Sequence, residues 1–143
     1  GRPGTLRIWD LATGTLVRSC EGHTQPITSV SFSKDGKTIV TSGHDGTVRF
    51  WETETGKEVK KFTMPRAVTE FAALSDDGKT LVCGGAEANP TVRVWDVASE
   101  TSIFESDPLP EGSLGFLGGA MLPDGHGAVV ACRDGLVRLW RWK

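Results

Sequence analysis

Residues 41–52 read Thr41-Ser42-Gly43-His44-Asp45-Gly46-Thr47-Val48-Arg49-Phe50-Trp51-Glu52. The Asp-Gly pair at 45–46 is a hairpin turn signal, because glycine adopts the left-handed backbone a tight turn demands. After it, Thr47 to Trp51 alternates in the manner of a strand with two different faces. Upstream, Ile27-Thr-Ser-Val-Ser-Phe32 and Thr38-Ile-Val-Thr-Ser42 are short, β-branched and bounded by turn residues, with Lys34-Asp-Gly-Lys37 between them. Downstream, Thr53-Glu-Thr-Gly56 turns the chain into Lys57-Glu-Val-Lys-Lys-Phe62. The reading is an antiparallel meander of four strands, designated A to D.

This grammar recurs. Thr5-Leu-Arg-Ile-Trp9-Asp10, Thr91-Val-Arg-Val-Trp95-Asp96 and Leu136-Val-Arg-Leu-Trp140-Arg141 repeat the strand that ends at Trp51, and the four tryptophans are 42, 44 and 45 residues apart. Arginine stands two before each, at Arg7, Arg49, Arg93 and Arg138, and Asp-Gly turns at Asp35, Asp77 and Asp124 keep the same phase. Periods of this size mark architectures in which each copy is one supersecondary unit that hides its flat faces on its neighbours. No long stretch carries a helical apolar period, so the fold class is all-β.

Composition narrows the function. The 143 residues carry 16 basic and 18 acidic side chains, a balance without the strongly basic face that tight nucleic-acid binding needs. The apolar runs are too short for a membrane-spanning helix. Cys20, Cys83 and Cys132 form no CxxC pair, which suggests neither a zinc frame nor a disulfide scaffold; a reducing, cytoplasmic setting is expected.

The period, Gly22-His23 ahead of Trp51, and the Trp-Asp endings at 9–10 and 95–96 resemble WD-repeat (WD40) β-propellers over essentially the whole chain. The resemblance implies four-stranded blades set radially round a channel. It also implies a structural tetrad of loop histidine, strand-B hydroxyl, B–C turn aspartate and strand-C tryptophan, which falls on His23, Thr41, Asp45 and Trp51. The third copy offers Pro65 or a neighbour for the histidine, Gly85 for the hydroxyl and Asn89 for the aspartate. The last keeps Asp134 but has Val130 and no histidine. The blade of residues 23–62 is therefore expected to be the most rigid.

The division expected is strands C and D of one blade in 1–22, whole blades in 23–62 and 63–106, and strands A to C in 107–143. That is an incomplete ring within this chain, read as the carboxyl-terminal part of a larger propeller or as one of several chains that close a ring together.

Few residues point to chemistry. The histidines are His23, His44 and His126; no G-x-S-x-G elbow and no spaced carboxylate pair accompany them, so no catalytic residue, metal ligand or cofactor is expected. Gly84-Gly85 and the glycines at 115, 118 and 119 precede no helix and read as bulges or loops rather than a phosphate cradle. The four arginines are expected to pack their stems with solvated heads, and Lys57, Lys60 and Lys61 to blunt an outer edge. Function is expected in the D–A and B–C loops that the resemblance makes a docking face: Gln25, His44, Arg66, Glu87, Asn89 and Arg133. The expected role is a non-catalytic scaffold for a protein or peptide partner, with no nucleic acid and no membrane. Alternatives are the docking propeller of a larger enzyme and a split propeller closed by association.

Overall fold

The computed structural model describes residues 4–64, 68–86 and 90–143. Thirteen strands follow one another: β1 (Leu6–Asp10), β2 (Thr15–Cys20), β3 (Ile27–Phe32), β4 (Thr38–Gly43), β5 (Thr47–Glu52), β6 (Glu58–Thr63), β7 (Val68–Leu74), β8 (Thr80–Ala86), β9 (Val92–Asp96), β10 (Thr101–Glu105), β11 (Phe116–Met121), β12 (Gly127–Cys132) and β13 (Val137–Arg141). The all-β expectation holds: no helix occurs among the described residues. Among the described residues the strands form four antiparallel sheets in simple meander order, β1-β2, β3-β4-β5-β6, β7-β8-β9-β10 and β11-β12-β13, with no closed ring.

Turn chemistry explains the meander. In the β3–β4 turn Gly36 adopts φ +70°, and Asp35 accepts the Ser33 hydroxyl and the Lys37 N–H at 2.7 and 3.0 Å. The β7–β8 turn repeats this with Ser75, Asp77 and Lys79. A carboxylate that takes up loose turn donors and a glycine free of Cβ strain together favour one hairpin geometry.

Three apolar layers separate the sheets. Leu6, Cys20, Ile39 and Trp51 fill the first; Val40, Val48, Phe50, Phe62, Ala72, Leu81 and Cys83 lie in the second; Phe71, Val82, Val94, Phe116, Ala128 and Val130 lie in the third. Alternation along each strand sends successive side chains into successive layers, so Trp51 faces back towards the first sheet while Val48 and Phe50 face forward. Innermost strands β3, β7 and β11 lie beside one another. There the Ser29 hydroxyl accepts the Ala72 N–H at 3.1 Å, and the Thr28 hydroxyl donates to the Thr69 carbonyl at 2.5 Å, fixing β7 against β3.

The outer face of the last sheet differs from its counterparts. Val137 is 69% exposed, whereas Val48 at the same place in the second sheet is fully buried. Leu117, Val129 and Leu139 are exposed as well, and at the other end of the stack so are Val30 and Phe32.

Two expectations need correction here. The glycines of the Gly84-Gly85 and Gly118-Gly119 pairs lie within β8 and β11, beside register shifts at Thr69/Phe71 and Phe116/Gly118, so they mark bulges as expected but not loops. A Cβ on Gly84 would come within 2.6 Å of the Phe71 ring and 2.8 Å of Phe116, and one on Gly119 within 2.6 Å of Phe71, so the absent side chains make room for an edge-to-face aromatic pair. The arginine heads, apart from that of the exposed Arg7, are ion-paired at a partly exposed surface rather than left to water alone. Arg49 donates to Glu58 at 2.6 Å, Arg93 to Glu105 at 3.1 Å, and Arg138 grips both oxygens of Asp134 at 3.0 and 2.7 Å. Lys60, beyond its place on the outer strand, reaches the Val97 carbonyl at 2.6 Å and Glu100 at 3.1 Å, tying the second sheet to the third.

Candidate functional site

The residues with functional potential gather at the end of the stack that carries the β4–β5 and β12–β13 turns. Its foundation is a polar relay in the second sheet. Trp51 Nε1–H donates to Thr41 Oγ1 at 2.8 Å, and Thr41 Oγ1 lies 2.8 Å from His23 Nε2. Asp45, an ionised carboxylate that can only accept, faces Nδ1, so the neutral imidazole carries its proton there and Nε2 accepts from the Thr41 hydroxyl, whose oxygen takes the indole N–H. Nδ1–H points to Asp45, 3.0 Å from both carboxylate oxygens.

Burial lowers the His23 pKa, more than the Asp45 contacts raise it, so the imidazole is neutral at pH 7. Burial raises Asp45, but bonds from the Thr47 hydroxyl, the Thr24 N–H and His23 outweigh it and hold the carboxyl at about 2. Gly43 makes the relay possible, since a Cβ there would lie 2.7 Å from His23 Nδ1.

The relay orders two loops. Asp45 accepts the Thr24 N–H at 3.0 Å, and the His44 N–H donates to the Pro26 carbonyl at 3.0 Å. The Thr24–Pro26 loop, with exposed Gln25, is thereby bound to the turn that carries His44. At the other side Arg138 clamps Asp134, and the Arg133 N–H donates to the Gly115 carbonyl at 3.0 Å, which fixes the β12–β13 turn.

Between these loops stands a residue that sequence reasoning missed. Glu70 on β7, with a side chain 14% exposed, lies 3.3 Å from Arg133 Nη2 and 3.9 Å from His44 Nε2. His44 and Arg133 are thus brought together across three consecutive sheets by one carboxylate. A lone charge within the apolar run of β7 was the available signal. Gln25 lies in the adjoining loop, and His126 is exposed in the β11–β12 turn at the opposite end. Arg66, Glu87 and Asn89 lie outside the described residues, as does Pro65.

The third sheet departs from the second in a way the sequence reading misplaced. Cross-strand pairing sets Leu81 opposite Trp95 as it sets Ile39 opposite Trp51, so Cys83, not Gly85, holds the position of Thr41. Gly85 is instead the counterpart of Gly43. Cys83 turns its thiol to Met64 Sδ at 3.5 Å, and Trp95 Nε1 finds no hydrogen-bond partner among the described residues.

The family model described as "WD domain, G-beta repeat" matches residues 14–52 and 56–96, more than half of the chain. The chain belongs to the WD-repeat family. The four sheets are accordingly propeller blades, whole or partial, in an open arc. Among similar proteins, autophagy-related protein 16 of Arabidopsis thaliana is 50% identical over 42 residues, 29% of this chain and 8% of that protein. The periodic tryptophan protein 2 homolog of Schizosaccharomyces pombe is 25% identical over 133 residues, 93% of this chain and 10% of that protein. Nuclear distribution protein PAC1-2 of Uncinocarpus reesii is 46% identical over 44 residues, 31% of this chain and 10% of that protein. These matches span about a tenth or less of the relatives' own length.

Proposed function

We propose that this WD-repeat segment is part of a non-catalytic platform for protein–protein assembly, with a protein or peptide partner docking on the loops around Glu70. The observation that carries the reading is the meeting of His44, Glu70 and Arg133, contributed by three successive blades and held by backbone and ion-pair ties. Side chains fixed before binding lose little freedom on association, so affinity comes from pre-organisation. Mixed charge at this end suits partner segments of mixed polar character. Membership of the WD-repeat family supports the scaffold role. The free thiols of Cys20, Cys83 and Cys132 suit a reducing, cytoplasmic compartment.

The test is site-specific photo-crosslinking in cells that express the protein, with the reactive side chain at Gln25, His44 or Arg133. Discrete adducts are expected at these positions and should disappear when Glu70→Arg reverses the central charge. Adducts of equal strength from the outer strand at Val17, or adducts indifferent to Glu70→Arg, would count against this face.

A second reading rests on the exposed Val129, Val137 and Leu139. We propose that this face is covered by a further blade, from elsewhere in the polypeptide or from another subunit. Sedimentation of the isolated chain should show association that Val137→Lys with Leu139→Lys abolishes; a monomer unaffected by the pair refutes it.

A further inference from the structure

At the end of the stack away from Glu70, a groove of about 610 Å³ runs between the β3–β6 and β7–β10 blades. Both blades have all four strands, so the groove is a feature of an ordinary blade junction. Its floor is apolar, with Phe50, Leu74 and Val97, and Val59 stands at its outer wall with 60% of its surface exposed. Its volume lies in the range of sites that enclose a ligand or a short peptide stretch.

Charge on the rim is unequal in kind. The two lysines that line the groove are committed: Lys34 to Asp76 at 2.6 Å, and Lys60 to the Val97 carbonyl and Glu100. Asp35 and Asp77, one on each wall, accept only neutral donors, a serine hydroxyl and a turn N–H each. Lys37 and Lys79 share those turns but do not line the groove and form no ion pair among the described residues. A segment lying in the groove therefore meets an apolar floor between two carboxylates that make no ion-pair contact among the described residues, with the charges of Lys37 and Lys79 acting on them only from a longer distance.

We infer that the groove holds a short basic peptide segment of a partner protein, with one bulky apolar side chain on Phe50, Leu74, Val59 and Val97 and flanking Lys or Arg side chains at Asp35 and Asp77. This is a binding face separate from the loops around Glu70 and stands or falls independently of them. Salt weakens the contacts with Asp35 and Asp77 and leaves the apolar contact in place.

The test is display selection of random short peptides on the wild-type protein, with binders remeasured on Val59→Arg and on Asp35→Asn with Asp77→Asn. Val59 is exposed, so its change leaves the core intact, and circular dichroism of each variant checks the fold. Enrichment of sequences with an aromatic or aliphatic residue between Lys or Arg residues is expected. Their affinity should fall about tenfold on Val59→Arg and drop, with a shallower salt dependence, on the double Asn variant. No enrichment, enrichment of acidic peptides, or binders that retain full affinity for Val59→Arg would overturn the inference. Self-association of wild type that Val59→Arg abolishes would assign the groove to a second copy and overturn it equally.

Discussion

Thr41→Val isolates the relay of the second blade. Valine has nearly the shape of threonine and suits a strand, so the change exchanges one hydroxyl for one methyl. Two buried groups lose their partner at once: Trp51 Nε1, on a residue 1% exposed, and His23 Nε2. Each orphaned buried polar group costs about 1–3 kcal/mol, the two together about 2–6 kcal/mol, and the added methyl returns about 1 kcal/mol, so the net loss should be about 1–5 kcal/mol. Thr41→Ser is the control. It keeps the hydroxyl and removes a methyl, for about 1 kcal/mol. Urea unfolding at neutral pH, followed by far-ultraviolet circular dichroism, gives both values. Adding Trp51→Phe closes a double-mutant cycle, in which the coupling with Thr41→Val should be about 1 kcal/mol. If Thr41→Val costs no more than Thr41→Ser, and the cycle shows no coupling, the relay adds nothing to stability and the argument from burial is wrong.

Cys83→Thr should give Trp95 Nε1 the acceptor that Thr41 gives Trp51, raising stability by about 1 kcal/mol in the same urea assay; a loss would mean that the Met64 contact matters more. Gly84→Ala should destabilise by about 1–3 kcal/mol, since the new methyl strikes Phe71 and Phe116; unchanged thermal unfolding would contradict the packing. Acid should act in two stages. His23, with its folded pKa lowered, favours the folded state fully above its ordinary pKa of 6.5, and that contribution fades as pH falls below it. Asp45, lowered to about 2, loses its contribution as pH falls from its ordinary 3.8 towards 2. Asp45→Asn should shrink the second stage, to which the similarly lowered Asp134 also contributes, and a urea midpoint that is flat from pH 7 to pH 3 in wild type would refute both assignments. Amide exchange should be slowest in β4 and β5, where apolar layers on both faces and the relay coincide; faster exchange there than in β8 and β9 would deny the second blade its expected rigidity.

The period of the tryptophans made the sheets legible because each copy solves the same burial problem with the same residues. Strand C must place Trp on one face and its apolar neighbours on the other, and only a strand does that in five residues. Legibility failed where a position depends on pairing across strands. Gly85 looked like the counterpart of Thr41 by its place in the glycine pair, but the partner strand sets the register, and Leu81 opposite Trp95 moves the match to Cys83. The arginines failed for a related reason. Carboxylates that neutralise them, such as Glu105 for Arg93, stand on the adjacent strand and no spacing rule announces them. Glu70 is a longer-range case still, because it meets Arg133 only after two blades have docked.

The layers between blades are asymmetric: Trp51, Trp95 and Trp140 look back, while Val48 and Val92, at the matching position of strand C, look forward. Contacts built this way are heterologous, with unlike surfaces meeting, so repetition of the same interface has a direction and adds blades head to tail. A two-fold pairing, in which one patch meets its own copy, cannot reproduce them. Growth by this geometry ends only when the first surface meets the last, and the small constant turn between neighbours decides whether that gives a ring or a filament.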